Sequence, residues 1–136
     1  MTRESNDDRF HTLAEHALQR TESGALDWEE TPQEESFVAI FGSGMLKVSR
    51  TERLTPSFED DGDAYYQDIY CVSLLTRTAN EVMELLFDGF NARDSLGGRL
   101  WQAARGRARG AEDLLDSVLR EVDGPEATTA ATHAAA

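Results

Sequence analysis

Between Phe37 and Arg77 the chain holds three runs dense in β-branched and aromatic residues: Phe37–Phe41, Met45–Arg50 and Tyr65–Arg77. This composition fits a pleated, half-buried surface. Gly42-Ser43-Gly44 joins the first two runs. Glycine supplies the positive φ that tight reversals need, so the pair is expected to form a hairpin. Strands joined by short turns pair antiparallel. A sheet with one apolar face then requires helices to cover it.

The flanking segments supply those helices. Phe10, Leu13, Ala14, Ala17 and Leu18 recur at helical spacing, with Arg20 near the end and Gly24 beyond it, which predicts a helix over roughly 8–22. Ala25–Thr31 reads as a short strand with Leu26 and Trp28 on one face, closed by Pro32. Residues 55–64 combine proline, glycine and the acids Glu59, Asp60, Asp61 and Asp63, the composition of a solvated loop. Residues 81–87 suit either a strand or a helical turn. Residues 88–98 form a connection, with Asp94 or Ser95 as the N-cap of a late helix. That helix places Leu100, Ala104, Ala108, Ala111, Leu115, Val118 and Val122 in one arc. Unbroken from 96 to 122, it would be roughly 40 Å long. The small side chains from Ala103 to Ala111 allow a close neighbour, for which the sheet is expected.

The expected architecture is therefore α+β: an antiparallel sheet of four to five strands packed by an N-terminal helix and a longer C-terminal helix. Residues 8–124 form a single domain, between a flexible start at 1–7 and a disordered tail at 125–136. The 136 residues suit one core.

The formal charge is −13, from 26 acids against 13 bases. Such a field favours solubility and disfavours general binding to nucleic acid or anionic lipid. No run approaches the ~20 apolar residues of a membrane helix, and the first ten residues lack a signal-peptide core. A lone Cys71 excludes an intramolecular disulfide and fits a reducing compartment. Cytoplasmic localisation is the expectation.

Within this acidic chain, residues 95–111 carry four arginines and no acid. On a helical wheel Arg105 and Arg109 lie close together, away from the apolar arc. Arg99 sits further round, and Arg107 borders the arc. Guanidinium groups so placed can converge on a phosphate or an acidic patch, or simply form a solvated face. Tyr65, Tyr66 and Tyr70, with Trp101, are candidates for an interaction surface or for packing. The candidate interaction residues are thus Arg99, Arg105, Arg109, Trp101, Tyr65 and Tyr66.

Other patterns do not assemble into chemistry. With Gly62 as the central glycine of a calcium loop, the ligand positions fall on Ser57, Glu59 and Asp68, a poor match. His11 and His16 fall on different helix faces, and His133 is in the tail, so no zinc set forms with Cys71. The pairs Glu29/Glu30 and Glu34/Glu35 read as a solvated strand edge. The glycines at 42–44 lead into a strand, not a phosphate-binding helix. No catalytic residue, metal or cofactor is expected.

The order of a short opening helix, Trp28-Glu29-Glu30-Thr31, Ser36-Phe37-Val38-Ala39-Ile40 and Leu100-Trp101-Gln102-Ala103-Ala104-Arg105 running on to Ala108 resembles a loose group of small bacterial α+β proteins. The resemblance spans most of residues 10–122. It implies the fold and brings no activity with it; the acidic stretch at 55–64 and the glycines in the late helix depart from its pattern. Three functions follow as expectations. The first is a non-catalytic module of an intracellular bacterial system that docks on another protein, with a symmetric homodimer as an accompanying expectation. The second is an acidic antitoxin or immunity-type neutraliser of a basic partner. The third is nucleotide or nucleic-acid binding through the late arginines.

Overall fold

A computed structural model describes residues 5–56 and 64–124. The expected flexible start, acidic loop and tail fall largely on residues 1–4, 57–63 and 125–136, outside the described residues, as does the calcium pattern around Gly62. Helix α1 spans Asn6–Glu22, two residues longer at its start than expected, because Ser5 caps it by accepting the Asp8 N–H at 3.1 Å. Asp7 and Asp8 in the first turn and Arg20 in the last oppose the helix dipole. Phe10, Ala14, Ala17 and Leu18 are buried.

The strands are β1 (Glu29–Glu30), β2 (Ser36–Ile40), β3 (Met45–Thr55), β4 (Tyr65–Leu75) and β5 (Glu81–Phe87). They form one antiparallel sheet in sequence order. The fold is α+β, and the ambiguous segment 81–87 is its fifth strand.

Two strand expectations need correction. The first strand is only two residues long, because the backbone before it serves α1: the N–H groups of Ala25 and Leu26 both bond the Arg20 carbonyl. Trp28 is instead buried beneath α1. Its indole N–H donates to Thr21 Oγ1 at 2.8 Å, and that hydroxyl donates to the Ala17 carbonyl at 2.6 Å. In the β2–β3 turn, neither Gly42 nor Gly44 has positive φ. Gly44 is needed for clearance, since a Cβ there would lie 2.6 Å from the Leu75 carbonyl oxygen.

The long late helix is also corrected. It divides into α2 (Leu96–Ala108) and α3 (Ala111–Asp123), with Gly110 between them at φ 66°. Left-handed backbone ends an α-helix, and glycine adopts it without a Cβ clash. Each piece has 13 residues, so neither is longer than the 17-residue α1. Ser95 caps α2 by accepting the Gly98 N–H at 3.1 Å.

Helix α2 crosses the sheet, and α1 packs along α2. The small residues of α2 therefore meet α1 as well as the expected sheet. The core gathers Phe37, Leu46, Val48, Tyr70 and Val72 from the sheet with Leu100, Trp101 and Ala104 from α2. Fully burying a side chain such as Leu100 is worth about 1.5–3 kcal/mol. The approach of α2 depends on Gly98, where a Cβ would sit 2.3 Å and 2.4 Å from the carbonyl oxygens of Ala92 and Arg93. Backbone atoms cannot retreat as a side chain can. Gly98→Ala is therefore expected to cost about 3 kcal/mol or to abolish cooperative unfolding in urea. Gly42→Ala, with nothing within 4 Å, should shift stability by less than about 0.5 kcal/mol.

Candidate interaction surfaces

The arginines of the late segment are divided between two sides of α2. Arg99 lines a groove toward α1 together with Arg107. Arg107 is bound there, its Nη2 donating to Asp27 Oδ1 at 2.8 Å and to the Gly24 carbonyl at 3.1 Å. Arg105 and Arg109 lie on the opposite side and line a second groove of about 830 Å³ between α2 and the sheet. The expected proximity of Arg105 and Arg109 is thus present, and Arg99 is separate from them.

Two further arginines enter the second groove from outside the helical cluster: Arg50 from β3, and Arg93 from a short 3₁₀ turn at Ala92–Asp94. The sequence reading missed both. Arg50 looks like an ordinary strand residue until β3 pairs with β4, which places it opposite Tyr70.

Trp101 forms the floor of this groove and is only 6% exposed, so of the two roles open to its ring, interaction surface or packing, it takes packing. Its indole N–H donates to the Glu35 carbonyl at 3.0 Å. Phe37 and Tyr70 pack on it with ring centroids 6.1 Å and 5.7 Å away. The guanidinium groups of Arg105 and Arg50 lie 5.5 Å and 5.7 Å from its ring centroid, within cation–π range.

Arg50 is heavily engaged: Nη2 contacts Asp68 Oδ1 at 2.8 Å and Glu52 Oε1 at 2.9 Å. Burial works against its charge, but the hydrogen bond and charge of Asp68, helped by Glu52, outweigh that and raise its pKa. Burial, followed by the charge of Asp68, raises the Tyr70 phenol, with Arg50 and Arg93 opposing. Arg109 donates to Glu30 Oε1 at 2.6 Å and lies 3.7 Å from Glu35 Oε1. The Glu30 hydrogen bond is the main cause of its raised pKa.

The tyrosines lie at the neighbouring edge. Tyr65 stacks on Phe90, with centroids 6.2 Å apart and planes 14° from parallel, while Tyr66 is 71% exposed. Phe90 itself is 91% exposed. Its only sequence signal was a large aromatic ring within a polar connection.

Helix α3 carries a third surface. Leu114, Leu115, Val118, Leu119 and Val122 are 43–69% exposed. Rotated at 100° per residue they fill an arc of about 140°. Asp116 and Asp123 border one edge of that arc, and Glu121 borders the other. Leu114 and Leu119 join the stripe in addition to the Leu115, Val118 and Val122 expected on the apolar arc.

On the sheet face away from the helices, Cys71 Sγ and carboxylate oxygens of Glu81 and Glu84 lie within 4.8 Å of one another. Burial pushes the Cys71 thiol up to about 11, with the neighbouring glutamates adding to the shift and Ser73 opposing it. A proton so held competes with any metal for the sulfur.

No protein-family model, curated protein or solved structure matches the chain. Among the described residues no helix is long and apolar enough to cross a membrane.

The raised thiol pKa has a measurable consequence. Only the thiolate alkylates, so iodoacetamide should label Cys71 at pH 8 on the order of 100-fold more slowly than a free cysteine. The rate should climb about tenfold per pH unit until pH approaches about 11. The native state keeps a proton that the unfolded chain releases above its ordinary pKa of about 8.5. Stability should therefore fall as pH rises from there toward about 11, and this group should have no effect at lower pH. Rapid labelling at pH 8 would contradict this environment.

Proposed function

We propose that this protein is a non-catalytic docking module of an intracellular system, and that α3 is its adhesive element. The observation that carries the proposal is the helix itself: five large apolar side chains stand on one stripe, and α3 leans on the rest of the domain chiefly through α2. An amphipathic helix normally buries that stripe. Here the stripe is available to another macromolecule in the helix-in-groove manner.

Charge selects the kind of partner. The edges of the stripe carry Asp116, Asp123 and Glu121, and Arg120 falls on the opposite face. Two copies of a chain with formal charge −13, joined at acid-edged stripes, would repel. A different protein with an apolar groove and basic flanks is complementary, as expected of an acidic neutraliser or accessory subunit. Burying the exposed parts of the five side chains is worth on the order of 5 kcal/mol before association costs are subtracted. Apolar burial of the stripe alone therefore supports at most a sub-millimolar contact, and attraction between its acidic edges and the partner's basic flanks must supply the remainder, which makes the contact salt-sensitive.

Leu115→Glu/Leu119→Glu tests this directly. Both residues are exposed, so unfolding should be nearly unchanged. A photo-crosslinker at Val122 should capture a partner through a basic surface, and the double variant should lower the yield at least tenfold. Light scattering should give one chain's mass. Adducts that survive the double substitution, or a dimer that it splits, would overturn the assignment.

A further inference from the structure

The four guanidinium groups that reach the groove beneath α2 are not equivalent. Arg50 is held by Asp68 and Glu52, and Arg109 by Glu30 and Glu35. Among the described residues, Arg93 and Arg105 have no carboxylate within salt-bridge distance. Arg9, Arg20, Arg77, Arg99 and Arg120 also lack such a partner among the described residues, but Arg93 and Arg105 line one concavity together. The Arg105 guanidinium is placed against the Trp101 ring, and the backbone that carries Arg93 is tied to α2, its carbonyl accepting a hydrogen bond from Gln102 Nε2 at 3.0 Å.

We propose that this groove binds a phosphate monoester bearing a flat ring, of the nucleoside monophosphate kind, with Arg93 and Arg105 as the anion ligands. One guanidinium satisfies a carboxylate through a bidentate pair, whereas a dianionic phosphate has oxygens for two. The groove's acids do not forbid the anion. Asp68 and Glu35 are already engaged by Arg50 and Arg109, leaving Glu34 as the one opposing carboxylate among its lining residues. The Trp101 and Tyr70 floor limits water on one side, which strengthens charge-assisted hydrogen bonds above it.

The ring is specified by the adjoining surface. Arg93 also lines a smaller hollow of about 280 Å³ with Tyr65, Tyr66 and Phe90. A phosphate at Arg93 therefore leaves an attached ring beside exposed aromatic faces, the usual platform for a nucleobase. The chain's negative field argues for a short ligand, because a polyanionic nucleic acid would be repelled along most of its length.

The chain contains an internal reporter pair. Trp101 lies under the groove, while Trp28 is buried against α1 and bonded to Thr21. In ¹⁵N NMR titrations with inorganic phosphate and 5′-AMP, the Trp101 indole signal should move and that of Trp28 should stay. AMP should bind at least fivefold more tightly than phosphate and should also move the Gly89 amide. Arg93→Gln/Arg105→Gln should weaken both ligands at least tenfold, while Arg99→Gln, on the other side of α2, should change affinity by less than twofold. If the double variant loses spectral dispersion, the single Arg93→Gln, at an exposed site, replaces it in the comparison. Leu115→Glu/Leu119→Glu should bind AMP normally, which separates this site from docking through α3. The proposal is overturned if Trp101 does not respond, if acetate at equal ionic strength moves it as far as phosphate does, or if the arginine substitutions leave the response intact. Equal affinity for AMP and phosphate would overturn the ring.

Discussion

The hydrogen bond from the Trp101 indole to the Glu35 carbonyl is the contact on which the layout of this domain depends. It joins residues 66 positions apart and ties α2 to the loop that leads into β2. With Phe37 and Tyr70 on its flanks, the indole sets the height of α2 above the sheet. Gly98 permits the same approach at the helix start by leaving room for the carbonyls of Ala92 and Arg93. Because the ring is held by packing and by a hydrogen bond, Arg50 and Arg105 meet an ordered surface, and the groove above it has a rigid floor.

Gly110 divides the C-terminal segment into two helices with different roles. Helix α2 contributes Leu100, Trp101 and Ala104 to the core, whereas the described side chains of α3 contribute none. The break therefore turns what would be a covering helix into a projecting one. Helix α3 reaches the arginine groove at Ala111, but none of its five large apolar side chains lines that groove, so a contact along α3 and a small ligand near Arg93 can be independent.

Charge is distributed with similar separation. Much of the described acid is solvated, but the carboxylates of Glu30, Glu35, Glu52 and Asp68 form a framework that binds Arg109 and Arg50 at the groove wall. Exposed ion pairs of this type contribute little to stability individually. Their larger effect here is electrostatic: they engage Glu35 and Asp68, two of the three acids that line the groove, and leave Arg93 and Arg105 as its unpaired cations.

Local patterns in the sequence determined the elements. Runs of β-branched and aromatic residues specify β2, β3 and β4, helical spacing from Phe10 to Leu18 specifies α1, and Asp94 and Ser95 bracket the start of α2, whereas residues 81–87 fitted strand and helical turn alike. Those signals lie within a few residues of the structures they specify. The arginine pair Arg105/Arg109 was legible for the same reason, since one helical turn separates the two. Tertiary structure alone decided that Trp101 is a floor and not a surface ring, that Arg50 and Arg93 join the groove, and that Phe90 extends the tyrosine edge. Each outcome depends on chain segments brought together across strand pairing or helix docking, and a one-dimensional pattern carries no record of those distances. The break at Gly110 lies between the two cases. The glycine is visible, but glycine tolerates both helical and left-handed backbone, and the surrounding packing selects which it adopts.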